Sequence, residues 1–177
     1  MQQHEMQSLI SAGIPAAGGT WADLGAGTGN FTWALAALLG ADATIYAIDR
    51  DARAVAALQQ RSASDPPRAR IIPQQADVVR LPQLPLLDGI LAANLLHFIR
   101  DQAGLLRRLA PLLKPGGVLI IVEYDQPHPI PWVPFPLAPA ALTRVASQTP
   151  FAAPEVVGTR VSPSSGRAMY AARLLKT

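Results

Sequence analysis

Cysteine is missing altogether from the 177 residues. That absence removes, by inventory, a thiol nucleophile, a zinc-thiolate site, an iron-sulfur cluster, a disulfide framework and a thiol redox switch. A chain without thiols also suits a reducing cytoplasm. Charge is sparse: 15% of residues are charged, the net charge is +3, and 13 of the 15 basic residues are Arg, scattered from Arg50 to Arg173 with Arg107-Arg108 as the densest point. With no basic stripe to track phosphates and no aromatic series for stacking bases, nucleic acid is not an expected partner. No run of about 18 apolar residues free of charge occurs, and Met1 to Gln7 carries neither a basic segment nor an apolar core, so neither a membrane span nor an export signal is expected. There is no internal repeat. The expectation is one soluble, cytoplasmic domain over residues 1–177.

Half of the residues are hydrophobic, and Gly (13) and Pro (17) supply the punctuation. Met6, Leu9 and Ile10 at helical spacing, closed by Gly13 and Pro15, predict a short helix within residues 1–18, ahead of the main fold and placed to act as a lid. Strands are expected at 20–24, 43–48, 70–75, 89–94 and 117–124. Helices are expected at 30–39, with Phe31, Ala34, Leu35 and Leu38 buried; at 51–61, capped by Asp51 and packing through Ala52, Val55, Ala56 and Leu58; and at 101–113, with Leu105, Leu106, Leu109 and Leu112 on one face. Pro73 places the third strand at a sheet edge. Lys114-Pro115-Gly116-Gly117 stops the last of these helices. Nearly continuous apolar strands alternating with amphipathic helices require a parallel sheet covered on both faces. Residues 126–139, with six prolines among Ile130, Trp132, Val133, Phe135 and Leu137, form a loop. A short helix at 140–148 and strands at 156–162 and 168–175, joined by a turn at 163–166, close the chain as an antiparallel hairpin. The fold class is α/β: a doubly wound, Rossmann-like, mainly parallel sheet of about seven strands with a C-terminal antiparallel hairpin.

Ligands of such sheets sit beyond the carboxyl ends of the strands. Asp23, Asp49 and Asp77 each stand at or just past a strand end, and Asn94, Glu123, Tyr124 and Asp125 close the fourth and fifth. Each acid taken singly is equally suited to capping a helix or bounding a loop. Asp23-Leu24-Gly25-Ala26-Gly27-Thr28-Gly29 carries more information. Its glycines permit close backbone approach, but position 30, where a dinucleotide fingerprint would place its third glycine, is Asn30. An acid at the head of the turn suits a ligand bearing positive charge rather than a pyrophosphate.

These segments together resemble the class I S-adenosylmethionine-dependent methyltransferases, in particular the small UbiE-like or type 11 methyltransferase domains. Asp23 to Gly29 is similar to that family's first motif. Ala47-Ile48-Asp49 resembles its second, Gln75-Ala76-Asp77 its third, and Asn94-Leu95-Leu96-His97-Phe98 its fourth. Leu113-Lys114-Pro115-Gly116-Gly117 matches the turn before the fifth strand. The resemblance covers about residues 19 to 124 and leaves the Pro-rich remainder untouched. It implies S-adenosylmethionine as cofactor and S-adenosylhomocysteine as product. Gly25, Ala26 and Gly27 would line the methionine part, and Asp23 would orient its ammonium group. Asp49 would hold the ribose hydroxyls, a role suited to a carboxylate because it can accept two hydrogen bonds from a vicinal diol. Asp77 would accept from the adenine amino group, with Val78 near the ring and Asn94 close to the methionine portion. Ile48, Arg50 or Leu95 would flank the adenine.

The implied reaction is direct displacement at the sulfonium methyl group, which requires neither a metal nor a covalent enzyme intermediate and depends on alignment and exclusion of water. A general base is optional, and His97, Tyr124, Asp125 and His128 are the candidates; His97 equally suits a packing role. The residues after Asn94 are Leu95-Leu96-His97 rather than the Pro-Pro-aromatic sequence of nucleobase amino methyltransferases, which argues against base methylation. The expected acceptor is a small apolar or aromatic molecule, with Ile130, Trp132 and Phe135 of the Pro-rich loop forming one wall of its pocket; the alternative is a loop that covers a sheet edge. Transfer of another group from a related sulfonium, and a non-catalytic cofactor-binding module acting with a protein partner, remain the competing functions. A homodimer is left open.

Overall fold

The apolar runs read from the sequence form the middle of a seven-stranded sheet in the computed structural model, which describes every residue except 82 and 164. Ser164, in the expected 163–166 turn, therefore lies outside the described residues. In chain order the elements are α1 (Gln3–Ile10), β1 (Gly19–Leu24), α2 (Asn30–Leu39), β2 (Ala43–Asp49), α3 (Ala52–Ser64) and β3 (Arg70–Gln75). They continue with β4 (Leu87–Ala93), α4 (Gln102–Leu109), β5 (Leu113–Tyr124), α5 (Pro139–Ala146), β6 (Glu155–Val161) and β7 (Ala168–Leu175).

The strand order is β3-β2-β1-β4-β5-β7-β6. The first five strands are parallel, and β7 pairs antiparallel with both β5 and β6. The chain winds outward from β1 through β2 to β3, then crosses to β4 on the other side, so the order reverses between β1 and β4. That crevice is where an open α/β sheet receives a ligand. Pro73 does sit on an edge strand, pairing through β3 only to β2.

Alternate residues of the inner strands face two separate cores, as the pleat requires. Ile90, Ala92, Leu119 and Ile121 face a core completed by Leu105, Leu106 and Leu109 of α4 and Leu142 of α5. Leu91, Ile120 and Val122 face the other, completed by Leu9 and Ile10 of α1 and Leu35 and Leu39 of α2. Trp21 is buried against Gly89 of the neighbouring strand, its partner in register, and its indole N–H donates to the Gly18 carbonyl at 3.2 Å.

Several sequence expectations shift in detail. In α2, Thr32, Trp33, Ala36 and Leu39 are buried beside Ala34 and Leu35, whereas Phe31 and Leu38 are only partly covered. The helix lies between the sheet and α1, so the covered arc is wider than a single stripe. In α3, Ala52 and Ala56 are exposed, and Val55 and Leu58 carry the packing. Asp51 caps that helix, accepting from the Arg53 N–H at 2.9 Å. Asp101 caps α4 rather than belonging to it, accepting from the Gly104 N–H at 2.8 Å, and the helix stops at Leu109 before a 3-10 turn over Ala110–Leu112. The Lys114-Pro115-Gly116-Gly117 turn is a bulge within β5. Leu113 pairs with Leu87, and pairing resumes at Gly89 and Val118. No helix among the described residues is long and apolar enough to cross a membrane.

Candidate functional site

The segment after β1 folds back over the end of β2 because two successive amides, Gly25 and Ala26, donate to the Ile48 carbonyl at 2.8 and 3.0 Å. Gly25 has φ +71, and a Cβ there would lie 2.9 Å from Leu95 Cδ1. Gly29 has φ +90 and starts α2, where a Cβ would meet Leu58 at 2.5 Å. Both positions demand glycine for backbone conformation, and Gly29, where the Cβ would also lie 2.8 Å from the Trp33 ring, for space as well. The same fold-back brings the Gly27 N–H to Asp49 Oδ2 at 2.8 Å, while the Asp51 N–H donates to Oδ1 at 2.9 Å. Each Asp49 oxygen keeps a second lone pair for a ligand.

Two cavities open at this end of the sheet, of about 350 and 330 Å³, and they share Gly25 and Asn94. These residues follow β1 and β4, the two strands flanking the reversal of strand order. The first cavity is lined by Asp23, Ala26 and Gly27, and also by Tyr124. The second is lined by Asp49, Arg50, Asp77, Val78 and Leu95. Asp77 caps the short turn Val78–Arg80, accepting from the Val79 N–H at 2.9 Å through Oδ1.

Asp23 is 1% exposed, and burial pushes its carboxyl up to about 7 from the usual carboxylate range. The Thr32 hydroxyl, donating to Asp23 Oδ2 at 2.6 Å, works against that shift, and the nearby Asp49 adds to it. Asn94 has φ +53, a conformation uncommon outside glycine, and its buried Oδ1 has no partner among the described residues. A buried, unpaired acceptor at the junction of two cavities is an unsatisfied group that a ligand N–H or O–H would complete. An ammonium and two vicinal hydroxyls, the donor groups of an aminoacyl-bearing nucleoside, fit acceptors of this kind: Asp23 and Asn94 on one side, Asp49 on the other.

The base candidates separate. Tyr124 lines the first cavity. His97 is buried and turned toward β5, its Nδ1 2.6 Å from Glu123 Oε2 and its backbone N–H donating to Oε1 at 3.2 Å. Asp125 and His128 are exposed and line neither cavity. Ile130, Trp132 and Phe135 likewise lie outside the lining of both. The Pro-rich loop is instead tied down beside the fourth strand's end, the Phe135 N–H donating to the His97 carbonyl at 3.0 Å. Of the three side chains read as flanking the adenine, Arg50 and Leu95 line the second cavity, and Ile48 is wholly buried beneath it.

Sequence reasoning placed the N-terminal segment over this end of the fold as a lid but missed the other contributors to the wall of the first cavity. Met1 and Met6 from the N-terminal segment, Phe31 at the start of α2, Pro163 in the β6–β7 connection and Met169 of β7 all line it. These include every methionine in the chain. Thr32 was missed too, although its spacing from Asp23, one strand end and one turn later, puts it on the inner face of α2.

A family model described as a methyltransferase domain matches residues 22–119. The chain is 29% identical over 111 residues to a 2-phytyl-1,4-naphtoquinone methyltransferase of Nostoc punctiforme, covering 62% of this chain and 48% of that one. It is 30% identical over 108 residues to a ubiquinone/menaquinone biosynthesis C-methyltransferase, UbiE, of Cellvibrio japonicus, covering 60% of this chain and 43% of that one. The chain spans between a quarter and about half the length of the curated relatives it matches. Among solved structures, a SAM dependent methyltransferase from Aquifex aeolicus superposes with a TM-score of 0.71 over the whole of both chains at 17% identity, which shows the shared fold.

Proposed function

This chain belongs to the methyltransferase-domain family, and from that premise we propose that it binds S-adenosylmethionine across the two cavities and methylates a small apolar or aromatic acceptor. The observation that carries the reading is the pair of cavities meeting at Gly25 and Asn94, with buried Asp23 on one side and Asp49 and Asp77 on the other. When bound, S-adenosylmethionine supplies a methyl group activated by a sulfonium. Asp49, its carboxylate fixed by the Gly27 and Asp51 amides, offers the free lone pairs for the ribose diol. Asp77 and Val78 serve the adenine. Asp23 and the Asn94 amide oxygen receive the ammonium group, and Gly25 to Gly27 bring backbone against the methionine chain.

The acceptor end is the outer part of the first cavity. Phe31, Met6 and Met169 offer apolar, adaptable surface there, which suits a flat hydrophobic molecule and excludes water from the displacement. Tyr124 is the candidate base that lines this space. The quinone-ring substrates named for the relatives are of this chemical kind. Against it stands the reading of a non-catalytic module acting with a protein partner, favoured by the placement of Asp125 and His128 away from both cavities and of His97 against Glu123. Methyl transfer to any acceptor overturns that alternative.

Calorimetric titration with S-adenosylmethionine and S-adenosylhomocysteine, with NAD as control, tests the cofactor assignment. Both sulfur nucleosides are expected to bind and NAD is not. Asp49→Ala is expected to weaken binding by roughly 10- to 100-fold, the range for losing hydrogen bonds to a charged group. Asp49→Asn, which keeps one acceptor oxygen, should lie between. No heat with either nucleoside from folded protein would refute the reading.

A further inference from the structure

The proposed cofactor contacts leave one cluster of buried polar side chains without a task. Glu123 is 1% exposed and His97 3%. Glu123, the penultimate residue of β5, commits both carboxyl oxygens to one residue of the turn after β4. Oε1 accepts from the His97 backbone N–H at 3.2 Å, and Oε2 lies 2.6 Å from Nδ1 of the same residue, a contact that holds one proton between the two side chains. Gln102, also buried, donates from Nε2 to the Leu96 carbonyl at 3.1 Å and to the Phe135 carbonyl at 2.9 Å. The Phe135 N–H in turn donates to the His97 carbonyl at 3.0 Å. Leu96 and His97 are thus gripped from β5, from α4 and from the Pro-rich loop. An acid and an imidazole buried in this way add little stability over an apolar pair of the same size, so the grip is better explained by the position it fixes.

The segment held there begins at Asn94. Its φ is +53, and a residue other than glycine keeps that left-handed backbone only where its surroundings over-determine it. The Asn94 N–H donates to the Val122 carbonyl at 2.8 Å, and the turn beyond it is closed by the Phe98 N–H on the Leu95 carbonyl at 3.0 Å. Val122 and Glu123 are consecutive on β5, so one strand end sets both ends of the segment from Asn94 to His97. Leu95, between those ends, packs on the glycine turn, where a Cβ added to Gly25 would lie 2.9 Å from Leu95 Cδ1. Gly25 and Asn94 are the residues the two cavities share, and Asn94 Oδ1 is buried with no partner among the described residues. The backbone of this segment sets the direction in which that oxygen points.

We propose that Glu123, acting through His97, is a positioning residue for the cofactor: it locks the turn after β4 so that the Asn94 amide oxygen meets the ammonium group. The assignment rests on the S-adenosylmethionine reading. Neither Glu123 nor His97 lines a cavity, so both act at one remove from the ligand. The Pro-rich loop, absent from both cavities, contributes through the same segment as a brace on His97.

The test is the affinity of the full chain for S-adenosylhomocysteine, measured by calorimetry with thermal unfolding recorded for every variant. Glu123→Leu, which keeps the volume and loses both bonds, is expected to weaken binding about tenfold. Glu123→Gln can accept from the His97 N–H through its oxygen and donate to Nδ1 through its amide, and should recover most of that loss. A double-mutant cycle decides between positioning and general packing. Asn94→Gly removes the side-chain amide and adopts the left-handed backbone without strain, so in that background Glu123→Leu should cost less than about twofold. Equal weakening in both backgrounds is the mark of a merely structural role and overturns the proposal. So does a folded Glu123→Leu protein that binds like the unaltered one, or a Glu123→Gln protein as weak as Glu123→Leu. Where Glu123→Leu does not fold, His97→Phe, which keeps a ring and the backbone bond, takes its place in the cycle with a loss of about threefold expected and the same results deciding. Unaltered protein that binds no S-adenosylhomocysteine refutes the cofactor reading itself, whereas intact binding without these variant effects refutes this assignment alone.

Discussion

Asp23 is the residue whose environment and proposed task pull in opposite directions. Its place at the end of a buried strand removes water from the carboxyl and raises its proton affinity to about 7, while the proposed ammonium partner requires the ionised form. The sign follows directly. Below the unfolded value of about 3.9 both states hold the proton. As pH rises from there to 7, the unfolded chain ionises while the folded one resists, so this group's contribution to stability falls, on the order of 4 kcal/mol in all, and levels off above 7. Asp23→Asn is expected to flatten that part of the stability profile measured by chemical denaturation. Cofactor binding should move the other way. Between about pH 5.5 and 7, below the range where an α-amino group loses its own proton, affinity for S-adenosylhomocysteine should rise about tenfold, and Asp23→Asn should abolish that rise. A pH-independent affinity in the unaltered protein would show that Asp23 does not meet the ammonium. Position 23 was legible in the sequence as an acid at a strand end; its protonation was not, because that depends on burial by α2 and on the Thr32 hydroxyl.

At the scale of elements, register decides which glycines matter. The sequence marks Gly25, Gly27 and Gly29 as a turn, but Gly89 reads only as the start of an apolar run. Pairing of Trp21 with Gly89 places the indole directly over it, where a Cβ would lie 2.3 Å from the ring. The ring is buried and its N–H is tied to Gly18, so it has little room to move. Gly89→Ala is expected to destabilise the protein by about 1–3 kcal/mol through overpacking, read as a lower denaturation midpoint. Gly40→Ala, at a position whose Cβ meets nothing within 4 Å but whose φ is +79 and ψ −166, a conformation almost confined to glycine, should cost about 1–3 kcal/mol through backbone strain alone. The helices show the same division. Their existence and the Asp51 cap were readable from the residues and the apolar spacing, whereas the Asp101 cap was not, and the wide buried arc of α2 arises because α1 covers the side that a lone amphipathic helix would leave wet.

At the scale of the whole molecule, residues far apart in sequence converge on one cavity. Met1 and Met6 arrive from the N-terminal segment and Met169 from β7, at opposite ends of the chain, and they line the same wall. With three methionines in total, a protein carrying labelled methionine methyl groups gives three resonances that all report on this space. S-adenosylhomocysteine is expected to shift at least one of them, and a naphthoquinone added to that complex should shift Met6 and Met169 further. Unmoved signals on quinone addition, with the nucleoside bound, would exclude the cavity as the acceptor site. The sequence by itself determined the alternating α/β order, the edge placement of Pro73, the glycine turn and the acids at three strand ends, because these follow from local backbone preference and from periodicity. It pointed to the N-terminal helix as a cover but did not show what else walls the first cavity, the proposed acceptor side. The loop richest in aromatic and apolar residues was the natural choice on composition, yet its carbonyls and amides are bound beside His97 and Gln102, away from both cavities. The first cavity is walled by the N-terminal segment, the start of α2 and the closing hairpin, brought together only when β7 inserts antiparallel between β5 and β6. That juxtaposition is a property of strand order, a long-range outcome of burying both faces of the sheet, and no local pattern in the chain records it.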